Sequence, residues 1–171
     1  MGWDKHIYFT TTAQMTNSNR FQNTAPTNSL FYIGDGAGVN ASGGNYIAYC
    51  FAEKKGYSKF GSYTGNGNAD GPFIYTGFKP AFVFQKRTDS TSNWHIFDNK
   101  REPENVMDKY LAPNDSGAEG TATGFDFFSN GFKSRTSSNW NNQSGGTYIY
   151  MAFAEEPLVA NVGASIPATA R

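Results

Sequence analysis

Carboxylates are the first side chains in this sequence with the chemistry for a site. Glu53 and Glu155 each follow an apolar run. Glycoside hydrolysis needs such a pair, and their separation sets retention or inversion. The two stand at matching places in two similar segments, however, which points to a shared structural role. Glu155 and Glu156 are neighbours, so in a strand they would face opposite ways. His6 and His95 are the only histidines, and no serine–histidine–acid spacing accompanies them. His95, between Trp94 and Ile96, reads as a strand-face residue. The single cysteine, Cys50, is flanked by Tyr49 and Phe51 and reads as a small core residue, not a reactive thiol.

The glycine-rich segment Gly56–Gly71 lacks the Gly-Lys-Ser/Thr that would close a phosphate loop, and no strand-turn-helix context suits a dinucleotide fingerprint. Within it, Asn66-x-Asn68-x-Asp70-Gly71 has the alternate oxygen spacing of a calcium loop. It opens on Asn rather than Asp, and the closing bidentate glutamate would fall on Gly77. An Asn/Asp turn is the better reading, and no metal or other cofactor is expected. Lys54-Lys55, Lys86-Arg87 and Lys100-Arg101 are short basic doublets among acidic neighbours, which reads as a solvated face and not a nucleic-acid groove. Asn40-Ala41-Ser42 and Asn142-Gln143-Ser144 fit the glycosylation pattern but read as turns.

The aromatic and polar mixture is the better functional lead. Sugar rings present apolar C–H faces to Trp and Tyr, while Asn and Asp bond the hydroxyls, and binding sites combine apolar walls with a few placed polar groups. Trp94, Trp140, Tyr63, Tyr110, Asp89, Asn93 and Asn141 lie in or beside turn-rich segments, where sandwich rims carry function. They are the candidate glycan-binding residues. The plainer reading of each Trp is packing in the core or at a subunit contact.

Composition says what must position them. The chain has 171 residues, 14 basic and 14 acidic side chains, 16% aromatics and 16% charged residues, against about 25% charged on average. Zero net charge argues against nucleic-acid partners. No apolar run reaches the ~18 residues that span a bilayer, so no membrane insertion is expected. Gly, Asn, Ser and Thr separate short β-branched and aromatic runs, which predicts an all-β sandwich or jelly roll of roughly ten strands. Expected strands include His6–Thr10, Leu30–Ile33, Asn45–Ala52, Phe73–Tyr75, Ala81–Lys86, Trp94–Phe97, Phe125–Phe128, Gly131–Ser134 and Thr147–Ala154. One short helical turn is expected near Glu104–Asp108. Pro157 ends the last run, and 157–171 read as an extended C-terminal arm.

An internal repeat is legible. Ser42–Glu53 (SGGNYIAYCFAE) matches Ser144–Glu155 (SGGTYIYMAFAE) at an offset of 102, and Asn40 matches Asn142. Asp4–Ile7 echoes Asp108–Leu111 at an offset of 104. Residues 1–55 therefore read as an incomplete copy and 56–156 as a complete one, because 72–101 have no earlier counterpart. Two organisations are open: one sandwich over 1–171 with two related strand sets, or a truncated array completed by other sequence.

Lys55–Gly67 (KGYSKFGSYTGNG), Tyr75–Val83 (YTGFKPAFV), Lys86-Arg87-Thr88-Asp89, Asp98–Arg101, Ser129–Lys133 and Ser144–Glu155 together resemble a repeat of tailed-phage virion proteins, especially tail fibres of marine phages. The resemblance covers nearly the whole chain. It implies a concanavalin-like sandwich, a fold in which many members bind glycans, and it brings no catalytic residues. In that family the first copy usually has its own front half, which this sequence lacks. The resulting expectation is a non-enzymatic virion module on the particle surface, a tail-fibre or other external component contacting host-surface glycan. Its partners would be other virion subunits, with a homo-oligomer expected. The alternatives are a capsid-decoration or subunit-assembly module, and a glycan depolymerase.

Overall fold

The computed structural model describes residues 3–156. Ten strands and a single turn of helix make up its regular structure: β1 (Lys5–His6), β2 (Thr16–Asn17), α1 (Ala37–Asn40), β3 (Ser58–Thr64), β4 (Phe73–Tyr75), β5 (Phe82–Arg87), β6 (Trp94–Asp98), β7 (Met107–Tyr110), β8 (Gly120–Phe128), β9 (Gly131–Ser134) and β10 (Thr147–Phe153). The chain is all-β, as its turn-rich composition predicts. Among the described residues no helix is long and apolar enough to cross a membrane.

Two four-stranded antiparallel sheets, β3-β10-β5-β6 and β4-β9-β8-β7, carry the fold. Both turn apolar residues into one core. The first sheet contributes Tyr63, Val83, Phe97, Tyr148, Tyr150 and Ala152, and the second Ile74, Met107, Phe125, Phe127 and Phe132. This is a sandwich-like arrangement. Period-2 alternation explains the assignment: along β10, Tyr148, Tyr150 and Ala152 face in, and Ile149, Met151 and Phe153 face out. Edge-to-face contacts at 5.0–5.2 Å link Phe97, Phe125, Phe132 and Tyr150, a geometry aromatic quadrupoles favour.

The sandwich lies entirely within residues 57–156. Residues 3–53 hold only the two-residue pair β1–β2 and the single turn α1, and Gly34 alone among them is buried. The strand expected over His6–Thr10 shortens to β1. Those expected over Leu30–Ile33 and Asn45–Ala52 do not form. The helical turn expected near Glu104–Asp108 is absent too, and Met107–Tyr110 pairs as β7 instead. The arm expected over 157–171 lies outside the described residues.

The first segment is nonetheless fastened to the sandwich. It crosses the face of the β3-β10-β5-β6 sheet that points away from the core. Phe9 packs on Phe84 and Trp94 at 5.2 and 5.6 Å. Met15 N–H donates to the Thr88 carbonyl at 2.9 Å, and Ser92 N–H to the Thr12 carbonyl at 2.9 Å.

Candidate functional site

The residues singled out for glycan binding fall into three places. Tyr63 and Asn141 are buried: the Tyr63 hydroxyl donates to the Asn141 carbonyl at 2.8 Å, and the ring stacks on Tyr148 at 4.9 Å. The Asn141 side chain accepts from Ser134 Oγ at 2.7 Å and donates to the Gly124 carbonyl at 3.2 Å. Tyr110 and Trp140 join that side of the core, half-buried, with ring centroids 5.9 Å apart and Trp140 4.6 Å from His95. Trp94 lies on the opposite face of its sheet. It stacks on Phe84 at 4.6 Å and donates from Nε1 to the Tyr8 carbonyl at 2.9 Å. Asp89 is engaged by Arg87 at 2.9 Å, and Asn93 accepts from Asn114 at 2.9 Å. The structure thus brings four of the seven together, but as packing.

The other candidates are engaged likewise. Glu53 pairs with Lys59 at 3.0 Å, and the Lys59 hydrogen bond holds its carboxyl below the usual range. Glu155 lies beyond the end of β10 and pairs with Lys100, with the same direction of shift. Asn66 and Asn68 accept from the N–H groups two residues on, at 2.9 Å each, as Asx turns do. Asp70 pairs with Lys133 at 2.6 Å. Cys50 is exposed, which corrects its reading as a core residue. The doublet Lys86-Arg87 is buried rather than solvated, because β5 is central in its sheet. Lys86 Nζ donates to the Thr12 and Ser92 carbonyls at 3.0 and 2.6 Å, and burial lowers its pKa to about 8. His95 is buried beside Gln85, and burial lowers it to about 4.

The surface that stands out is the run Tyr46–Phe51. Its sequence twin, 148–153, is the central strand β10. In both places the same turn comes first. Gly43 and Gly145 take φ of 73° and 74°, the left-handed region that glycine enters freely. Gly44 N–H donates to the Ala41 carbonyl at 3.0 Å, and Gly146 N–H to the Gln143 carbonyl at 2.9 Å. The Tyr46 hydroxyl donates to the Ala37 carbonyl at 2.7 Å and accepts from Ala41 N–H at 2.8 Å. The Tyr148 hydroxyl donates to the Asn139 carbonyl at 2.7 Å and accepts from Gln143 N–H at 2.9 Å. Every partner keeps the offset of 102.

Beyond the turn the likeness stops. β10 pairs with β3 on one side and β5 on the other, and Tyr148 is fully buried. Residues 45–53 form no strand. Tyr46 is 48% exposed, Ile47 82%, Tyr49 81% and Phe51 63%. Singly exposed apolar residues are ordinary, but a contiguous run of this kind marks an interaction surface. The sequence predicts a strand over Asn45–Ala52 like its twin, and the exposed, unpaired run corrects that reading.

A second exposed aromatic group, one that no sequence motif marked, lies on the outer face of the second sheet. Phe73, Tyr75 and Phe128 are exposed there, with Phe73 and Phe128 6.0 Å apart, edge to face. The Lys133–Asp70 pair and the Arg135–Asp126 pair, at 3.3 Å, lie beside them. Alternation in Phe73–Tyr75, with Ile74 inward, was the available signal.

The model of a family described as Domain of unknown function (DUF7483) matches residues 1–157. No curated protein and no solved structure matches the chain.

Proposed function

The chain belongs to the DUF7483 family, whose function is unknown, and from that premise we propose that it is a non-enzymatic structural module that assembles with other subunits through residues 45–53. The exposed run Tyr46–Phe51 carries the reading. It repeats a strand that elsewhere in the same chain sits between two neighbours, and unpaired strands recruit other strands. The sequence resemblance to tail-fibre repeats of tailed phages supports placing the module in a virion, as an external component in contact with other subunits. It also supports taking the two halves as copies of one concanavalin-like unit. Sedimentation over a wide concentration range tests the assembly reading. The chain is expected to associate as concentration rises, and Ile47→Asp with Tyr49→Asp to abolish this. A monomer throughout, unchanged by those substitutions, overturns it.

A second reading, contact with host-surface glycan, rests on Phe73, Tyr75 and Phe128. Exposed aromatic faces beside charged pairs suit sugar rings and their hydroxyls. A glycan array is expected to yield ligands whose binding falls at least tenfold in Tyr75→Ala. An array blank at high protein concentration removes this reading.

A further inference from the structure

We infer that the subunit which residues 45–51 receive is a second copy of this chain, paired antiparallel through the same seven residues about a two-fold axis at Ala48. The inference rests on the assembly reading and names its partner.

The run is fastened at both ends and free between them. Ahead of it, Gly44 N–H is spent on the Ala41 carbonyl, and the Tyr46 hydroxyl ties the turn to Ala37 and Ala41. Behind it, the Ala52 carbonyl accepts from Ser58 Oγ at 3.0 Å, and the Phe51 ring packs 6.2 Å from Phe60 and from Phe153. Among the described residues, no backbone hydrogen bond reaches 45–51. Those residues keep their N–H and C=O groups for water or for another strand. The four edge strands of the sandwich suit them poorly. β3 has its Phe60 N–H taken by the Glu53 carboxylate at 3.2 Å, and β4 is three residues long. β6 is bridged to Leu111, and β7 carries Asp108 and Lys109.

The run itself is the complementary segment. A two-fold contact sets like charges near one another, which destabilises strand pairing, and no charged side chain occurs from Gly36 to Ala52. Ala48 is the centre of the free run, so pairing about it uses all seven residues. Ile47 then lies opposite Tyr49, a β-branched–aromatic pair, and Tyr46 opposite Cys50, large against small. Ala48 faces itself. Its counterpart Tyr150 needs Gly61 opposite, since a Cβ there would meet the Tyr150 ring at 2.8 Å. A tyrosine that leans over its neighbour in this way leaves little room for its own copy, whereas alanine does. Two copies of Tyr46, Ile47, Tyr49 and Phe51 expose on the order of 1,000 Å². Leu30 and Phe31, which line a cavity with Cys50 and Phe51, widen the patch. That is the low end for a specific interface, so a reversible dimer is expected.

The test is disulfide trapping in the full chain. Directly opposed residues of antiparallel strands have Cα atoms about 4.5–5.5 Å apart, within disulfide range. Ala48→Cys combined with Cys50→Ser therefore brings two sulfurs together across the axis. Under mild oxidation this variant is expected to link into dimers at least tenfold faster than the parent, whose Cys50 faces Tyr46. Amide exchange in the parent, read by NMR above and below the association midpoint, is expected to slow about tenfold or more at alternate residues of 45–51. Residues 147–153 should not change. Association that Ile47→Asp with Tyr49→Asp abolishes, without faster linking at position 48 and without alternate protection, overturns the two-fold pairing and leaves the assembly reading standing. A chain that stays monomeric at every concentration overturns both.

Discussion

Residues 36–46 and 138–148 make the same turn with the same hydrogen bonds, yet the first leads into open chain and the second into a central strand. The difference separates local from non-local information. The turn needs a glycine at positive φ and a tyrosine hydroxyl within reach of its own loop, and the segment supplies both. The strand needs neighbours on both edges, and no intrinsic preference replaces them. Similar sequence thus reaches different structure where stability comes from a partner rather than from the segment. The exposed run is a strand in composition and a loop in circumstance.

The sharpest way to break this comparison is to truncate the same tyrosine in both places. Tyr148→Ala removes a fully buried ring, its stack on Tyr63 and two hydrogen bonds. It should cost ~3–5 kcal/mol, as large-to-small core changes do. Tyr46→Ala removes a half-exposed ring and a surface turn contact, and should cost about 1 kcal/mol or less. Denaturant unfolding measures both. Equal costs would mean that residues 45–53 already pack as β10 does.

Acid titration gives the next largest effect. His95 falls from 6.5 in the unfolded chain to about 4 in the fold, because burial disfavours its charged form. Between those values the unfolded state binds more protons, so stability falls as pH drops from 6.5 to 4, by about 3 kcal/mol if the shift is fully expressed. His95→Gln, whose amide can still meet Gln85, should flatten that interval. If the loss persists in the variant, it arises from other groups, His6 among them, whose pKa burial also lowers.

A finer contrast uses the matched asparagines. Asn142→Ala leaves the Asn66 N–H without its acceptor and removes three donor contacts of a buried amide, at about 1–3 kcal/mol. Asn40→Ala should stay within about 0.5 kcal/mol.

The sequence was informative where the signal was periodic or repeated. Short β-branched and aromatic runs placed β4, β5, β6, β9 and β10, and the offset of 102 paired Tyr46–Phe51 with Tyr148–Phe153 but gave no sign that the first would be exposed. It was uninformative about direction. Trp94, Trp140, Tyr63 and Asn141 sit beside turns, as rim residues do, but whether a residue beside a turn points outward depends on strand register and on what crosses the sheet. Tyr63 alternates inward along β3, and Trp94 is covered by Phe9 from 85 residues earlier. Likewise a Lys-Arg doublet reads as solvated until β5 proves central and Thr12 closes over Lys86.

Lys86 stands where the two regions meet, so it offers the smallest and most specific measurement. Its ammonium is enclosed by the β5–β6 connection and by Thr12 of the open half, with carbonyl oxygens for partners. Burial lowers its pKa from 10.5 to about 8. Over that interval the unfolded chain holds the proton that the folded chain releases, so stability should rise as pH increases from about 8 toward 10. The buried tyrosines do not mask this window, because their values are raised above 10 and their contribution is lost only at higher pH. Lys86→Met keeps the stem's volume and removes the charge, so the variant's melting temperature should be flat where that of the parent climbs. If Thr12 is held by the ammonium, exchange of the Ser92 amide, which donates to the Thr12 carbonyl, should quicken in Lys86→Met. Quicker exchange there, with 147–153 unchanged, would mean that the open half is fastened at this point independently of the sandwich it crosses. Unchanged exchange would assign the fastening to Phe9 against Phe84 and Trp94 instead.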